Sequence, residues 1–187
     1  MSIRRRDGFS LIELVIVVAI VLIVTAIAVP NFTTAYNNIR LRSAANDLAG
    51  LIQQARMRSQ KTNTIITINY AGQQAFIDLN NNGNLDQFEP VITFPGNIAA
   101  FQGAAPTPYV LVGDTGNVVY NNPTVLGYST RGLPCVFAAG ACPAPAGGYF
   151  VYYLQDQRAN GQVGWAAVVV SRSGRSKSVV WTGNSWQ

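Results

Sequence analysis

From Phe9 to Val29 the chain runs 21 residues with only three polar side chains, Ser10, Glu13 and Thr25. As a helix that stretch is roughly 30 Å long, about the thickness of a bilayer's hydrocarbon core. Arg4, Arg5 and Arg6 stand just before it, which predicts a cytoplasmic N-terminus and export of the rest of the chain. A secretory signal has a shorter apolar core, about 7–15 residues, and a small-residue cleavage site behind it. Here the apolar core runs on to Val29 and is longer than that. Glu13 adds a constraint, because an ionised carboxylate inside an apolar span costs on the order of 2.5–3.5 kcal/mol and marks a functional position. A plain signal anchor whose Glu13 reaches back toward the headgroups is consistent with the same residues.

The segment Gly8-Phe9-Ser10-Leu11-Ile12-Glu13-Leu14 resembles the type IV prepilin signature, and Pro30 stands where many pilins carry a proline. The resemblance implies cleavage between Gly8 and Phe9 by a prepilin peptidase and N-methylation of Phe9. It also implies that Glu13 pairs with the N-terminal amine of a neighbouring subunit in a filament. Such a pairing accounts for a buried carboxylate, since an opposite charge meets it and loss of either partner strands the other. Leu11 to Val29 then has two successive environments, first the inner membrane and later the packed helices of a filament. Net charge fits a processed chain that is only mildly basic. It is +5 overall, and cleavage removes three arginines and one aspartate, +2 together, leaving +3.

Past Pro30 the helical pattern changes character. Ile39, Leu41, Ala44, Ala45, Leu48, Leu51, Ile52 and Ala55 recur every three or four residues, with Arg40, Arg42, Asp47, Gln53, Gln54, Arg56 and Arg58 between them. This predicts an amphipathic helix that packs one stripe against its own domain and ends near Gln60 to Asn63. Phe9 to about Gln60 reads as one long helix, slightly bent at Pro30. About 125 residues remain after it, enough for one domain with a core.

From Thr62 the period becomes two. Thr64–Tyr70 and Gln74–Ile77 flank Ala71-Gly72 and predict a hairpin. Pro95 to Tyr109 reads as loop. Short strands are expected at Tyr109–Val112, Asn117–Tyr120 and Val125–Ser129, then at Tyr149–Leu154, Trp165–Ser171 and Ser178–Trp181, with turns at Asn160-Gly161 and Ser173-Gly174. The fold class is therefore α+β, a long N-terminal helix on a C-terminal antiparallel β-sheet domain. Its divisions are residues 1–8 (leader), 9–29 (transmembrane or filament-core helix), 30–62 (amphipathic half) and 63–187 (β domain).

Asp78 to Glu89 matches the 12-residue calcium-loop pattern. Asp78, Asn80 and Asn82 would offer side-chain oxygens, Asn84 its carbonyl, Asp86 a direct or water-bridged contact and Glu89 a bidentate carboxylate, with Gly83 at the sharp turn. A strand precedes it, so it is no helix–loop–helix hand. With three carboxylates, any calcium affinity is expected near 0.1–1 mM. A metal-free polar hairpin loop has the same composition. Cys135 and Cys142, the only cysteines, predict a disulfide staple in an exported domain.

Tyr128-Ser129-Thr130-Arg131-Gly132 and the late strand ending in Ser173-Gly174-Arg175 together resemble the GspH/FimT pseudopilin family, with Tyr128 in place of phenylalanine. Some members bind DNA through a basic Gly-Arg turn. That resemblance carries over to Gly174, Arg175 and Lys177, with Arg172 beside them; lysine keeps the charge and loses the fork. A solvated turn with three cations is the plainer reading. Catalysis has little support: the chain has no histidine and no phosphate-binding loop, and Asp114 and Asp156 are isolated acids. The expectation is a non-enzymatic subunit that requires no cofactor. It is a minor pilin or pseudopilin at or near a filament tip, with a DNA-binding uptake pilin and a major shaft pilin as alternatives. It would be a single-pass inner membrane protein with a periplasmic or extracellular C-terminal domain.

Overall fold

The computed structural model describes residues 10–101, 108–111, 119–121, 124–143, 148–158 and 161–187. One helix, α1, runs Leu11–Thr62. Its first bond is Leu14 N–H to the Ser10 carbonyl, Glu13 lies in its first turn and Lys61 in its last, each suited to the helix dipole. Thr25 is satisfied internally, its hydroxyl donating to the carbonyls of Val21 and Leu22 at 2.9 and 3.0 Å. Asn63 ends the helix in a left-handed conformation, φ 54°.

The chain divides into two compact units, Met1–Asn38 and Ile39–Gln187. In the first, the helix leaves Leu11 to Val29 exposed wherever side chains are described. In the second, Leu41, Ala44, Ala45, Leu48, Leu51, Ile52 and Ala55 are buried, the stripe the spacing predicts. Ile39 is the exception and stays exposed. Ser59 extends the buried line because its hydroxyl donates to the Arg56 carbonyl at 2.8 Å.

The strands are β1 (Ile66–Ala71), β2 (Gln74–Asp78), β3 (Val91–Thr93), β4 (Ile98–Ala100), β5 (Val119–Tyr120), β6 (Leu126–Tyr128), β7 (Pro134–Val136), β8 (Tyr149–Gln157), β9 (Val163–Val170) and β10 (Ser176–Val180). They form two sheets, ordered β3-β2-β1-β6-β7 and β10-β9-β8-β4, with β5 joining β8. The β1–β2 hairpin is antiparallel as expected, Tyr70 opposite Ala75 across the Gly72 turn. Three details depart from the sequence reading. The stretch read as loop contains β4, which pairs with β8; Tyr109–Leu111 is not a strand; and β5 runs parallel to β8. Strands β3 and β7, three residues each, carry too little periodicity to be read. Val112, Asn117 and Asn160 lie outside the described residues.

One core joins the helix stripe to Ile66, Ile68, Ile77, Leu126 and Tyr128 of the first sheet and Tyr152, Leu154, Ala166, Val168 and Val170 of the second. A second cluster occupies the other face of the second sheet: Tyr149, Val151, Tyr153, Trp165, Ala167, Val169 and Val179 pack with Phe101, Leu111 and Trp186. Strands β8 and β9 are thus buried on both faces, which is why they read as apolar runs rather than alternations. The Tyr109–Leu111 segment covers this face. Tyr109 N–H donates to the Tyr153 hydroxyl at 2.9 Å, and the Tyr149 hydroxyl donates to the Tyr109 carbonyl at 3.1 Å.

Candidate functional sites: an uncovered helix, an acidic loop and two joined turns

Glu13 is exposed in the first turn of α1, three residues after Ser10, the capping-box spacing. Around and beyond it, Leu11, Ile12, Leu14 and the following aliphatic side chains are each roughly half to four-fifths exposed, from Val17 at 48% to Leu11 at 80%. An apolar surface this continuous has to be covered by something outside the monomer. By length and composition the helix can cross a membrane, with a mean hydropathy of 3.1 over its most apolar window. Gly8 and Phe9, the expected processing site, lie outside the described residues.

The Asp78–Glu89 loop connects β2 to β3, and Ile77 N–H donates to the Pro90 carbonyl at 2.9 Å where the strands resume. Asp78 is fully buried. Its carboxylate accepts from Gly83 N–H at 2.7 Å, the Asn69 side-chain amide at 2.9 Å and Asn82 N–H at 3.2 Å. Glu89 accepts from Leu79 N–H at 2.7 Å and Asp86 N–H at 3.0 Å. Asp86 accepts from the side-chain amides of Asn80 and Asn82 at 2.7 and 2.9 Å. Asn84 N–H donates to the Asn82 side-chain oxygen at 2.7 Å, and Gly83 takes the turn at φ 80°. The loop therefore closes through its own donors. Among the described residues no three His, Cys, Asp or Glu side chains converge as a metal cluster. The loop's oxygen donors are half from asparagine, a set suited to a hard cation only at low affinity.

Cys135 on β7 is disulfide-bonded to Cys142, with Cα atoms 5.3 Å apart. The bridge lies over β6, where a Cβ on Gly127 would come within 2.9 Å of the Cys135 sulfur.

The third site was only half legible. Ser171–Arg175 turns through Gly174, with Ser171 N–H donating to the Arg175 carbonyl at 2.9 Å. Arg172 and Arg175 are exposed on it, and Lys177 is exposed just beyond it on β10. The Ser129–Leu133 turn lies against it: a Cβ on Gly174 would sit 3.0 Å from the Gly132 carbonyl. Arg56 of α1 ties the two, its Nε donating to Gly132 O at 3.0 Å and its Nη1 to Gly174 O at 3.2 Å. Gln53 donates to Gly174 O at 3.1 Å and to the Ser176 hydroxyl at 2.9 Å, and Gln60 donates to Arg131 O at 3.1 Å. Gln53, Arg56 and Gln60 sit at helical spacing beside the apolar stripe. The only sequence signal for them was a polar position flanking a buried face.

Behind the turns, Tyr128 is buried and its hydroxyl has no partner among the described residues. Burial pushes its phenol up, with Arg56 opposing, and burial likewise raises Tyr152. These are phenols held neutral, not groups tuned for proton transfer near neutral pH.

A membrane-compatible helix with an acid in its first turn, running into an α+β domain, defines the class of pilin-like subunits. Comparison with known families makes this specific. The prokaryotic N-terminal methylation motif matches residues 3–29. The type II transport protein GspH family matches residues 44–174, well over half of the chain. The chain belongs to the GspH family and is a type II secretion pseudopilin or type IV pilin, a structural class. No curated protein and no solved structure matches it significantly. Helix and motif together fit a membrane-anchored protein.

Proposed function

We propose that this chain is a minor pseudopilin or pilin, non-enzymatic, that enters a filament at or near its tip and helps start assembly. A prepilin peptidase cuts between Gly8 and Phe9, Phe9 is N-methylated, and Glu13 meets the N-terminal amine of a neighbouring subunit. Before assembly the helix anchors the chain in the inner membrane with the C-terminal domain outside the cytoplasm. The observation that carries this reading is the uncovered apolar helix with one acid, continuous with a helix half whose apolar stripe is buried. Two environments in sequence, lipid and then sibling helices, supply the cover. Intact-mass analysis of the exported chain tests it: the expected species begins at a methylated Phe9, and a species retaining Met1 to Gly8 refutes processing.

A second reading is favoured by one observation, the joining of the Gly132 and Gly174 turns beneath exposed cations. There the same subunit also contacts DNA through Arg172, Arg175 and Lys177. Phosphate contacts of this kind are salt-sensitive and nearly indifferent to sequence. The Asp78 loop takes calcium weakly in either reading, as a structural addition to a loop already closed by hydrogen bonds.

A further inference from the structure

We infer that Arg56 is the positioning residue of a composite cationic surface, in which Arg131 of the first sheet joins Arg172, Arg175 and Lys177 of the second. The inference rests on the DNA-contact reading for its ligand, a polyanionic phosphate backbone, but not for its geometry. Arg131 is exposed on the Ser129–Leu133 turn, one residue from the Gly132 carbonyl that Arg56 holds. Its own carbonyl is held by Gln60. The two turns belong to different sheets, and α1 is the element that bonds to both. One planar guanidinium donates to both turn carbonyls from fixed, divergent N–H groups; a lysine ammonium offers a point charge on a flexible stem. The glycines make this approach close. A Cβ at Gly174 would meet the Arg56 Nε at 3.1 Å, and one at Gly132 would overlap Gln60. Arg56 is half-buried and donates twice to backbone, so it shapes the surface while Arg131, Arg172, Arg175 and Lys177 present the charge.

The test uses the full chain in detergent, with Arg56→Lys, Arg56→Met, Arg131→Ala and Arg175→Ala. Amide exchange of the Ser129–Leu133 and Ser171–Arg175 turns is measured beside binding of a mixed-sequence 20-base-pair duplex across a salt series. In Arg56→Lys and Arg56→Met both turns are expected to lose protection together, while the strands β8 and β9 keep theirs. Duplex affinity should fall about tenfold in Arg56→Lys although charge is conserved. The salt slope should drop by about one in Arg131→Ala, as in Arg175→Ala. Wild-type protection of both turns in Arg56→Lys would overturn the positioning role. An unchanged slope in Arg131→Ala would remove it from the surface. Coupled loss of protection with no duplex binding by the wild type would sink the DNA reading and leave the clamp standing.

Discussion

The two halves of α1 share one backbone and differ in what covers them. Leu22, in the first half, is 63% exposed, while Leu48, in the second, is fully buried. Both are leucines in good helical sequence, so propensity does not separate them. The difference lies in the surrounding pattern. Around Leu22 every neighbour but Thr25 is apolar, which leaves no preferred face. Around Leu48 the apolar residues make one stripe flanked by Asp47, Gln53 and Arg56. A stripe can be buried by the chain's own sheets; an all-round apolar helix needs other molecules. Folding and assembly are thereby assigned to different stretches of a single element.

That assignment can be broken most severely at matched leucines. Leu48→Ala should destabilise the folded domain by about 2–5 kcal/mol, read as a large fall in melting temperature. Leu22→Ala should leave the melt unchanged and act only on membrane retention or incorporation into filaments. Equal melting losses in the two would erase the distinction between the halves.

The next effect lies wholly inside the covered unit. Replacing Cys142 with serine should cost about 2–3 kcal/mol through the lost loop constraint, visible as a lower denaturant midpoint. Incorporation should persist while the domain stays folded. A midpoint equal to wild type would mean that the bridge is not a staple.

A smaller change runs in the opposite direction. The Tyr128 hydroxyl is buried without a partner among the described residues, so Tyr128→Phe should be neutral or stabilising by up to about 1 kcal/mol. Burial raises its folded pKa above the ordinary value of a tyrosine phenol. A raised acid contributes stability that is present below pH 10 and lost as pH climbs toward the folded value. Alkaline melts should therefore fall above about pH 10, and less so in Tyr128→Phe. Destabilisation by the phenylalanine would show that the hydroxyl has a partner.

The smallest effect concerns the Asp78 loop. At a concentration equal to its dissociation constant, calcium should add about 0.4 kcal/mol. The same titration on Asp86→Asn should be flat. A flat wild-type titration would assign the loop to hydrogen bonds alone.

These contrasts also mark what the sequence could convey. The helix, its boundary near Asn63 and the β1–β2 hairpin are local patterns, fixed by apolar spacing and by Gly72. Strands β8 to β10 are legible because their β-branched and aromatic runs are long. Strand β4 was hidden among Pro and Gly because its identity comes from pairing with β8, far along the chain. The parallel β5–β8 pair and the division into two sheets are likewise non-local. At the basic turns, Arg172, Arg175 and Lys177 were visible as a cluster, but Arg56 was not. Its role depends on two glycine turns meeting under the helix, and no spacing encodes that.

The central claim is that Glu13 serves association and not folding. Full-length Glu13→Ala, produced in cells lacking the wild-type copy, should be processed, melt like wild type and fail to appear in sheared filaments. Incorporation at the wild-type level would contradict the account.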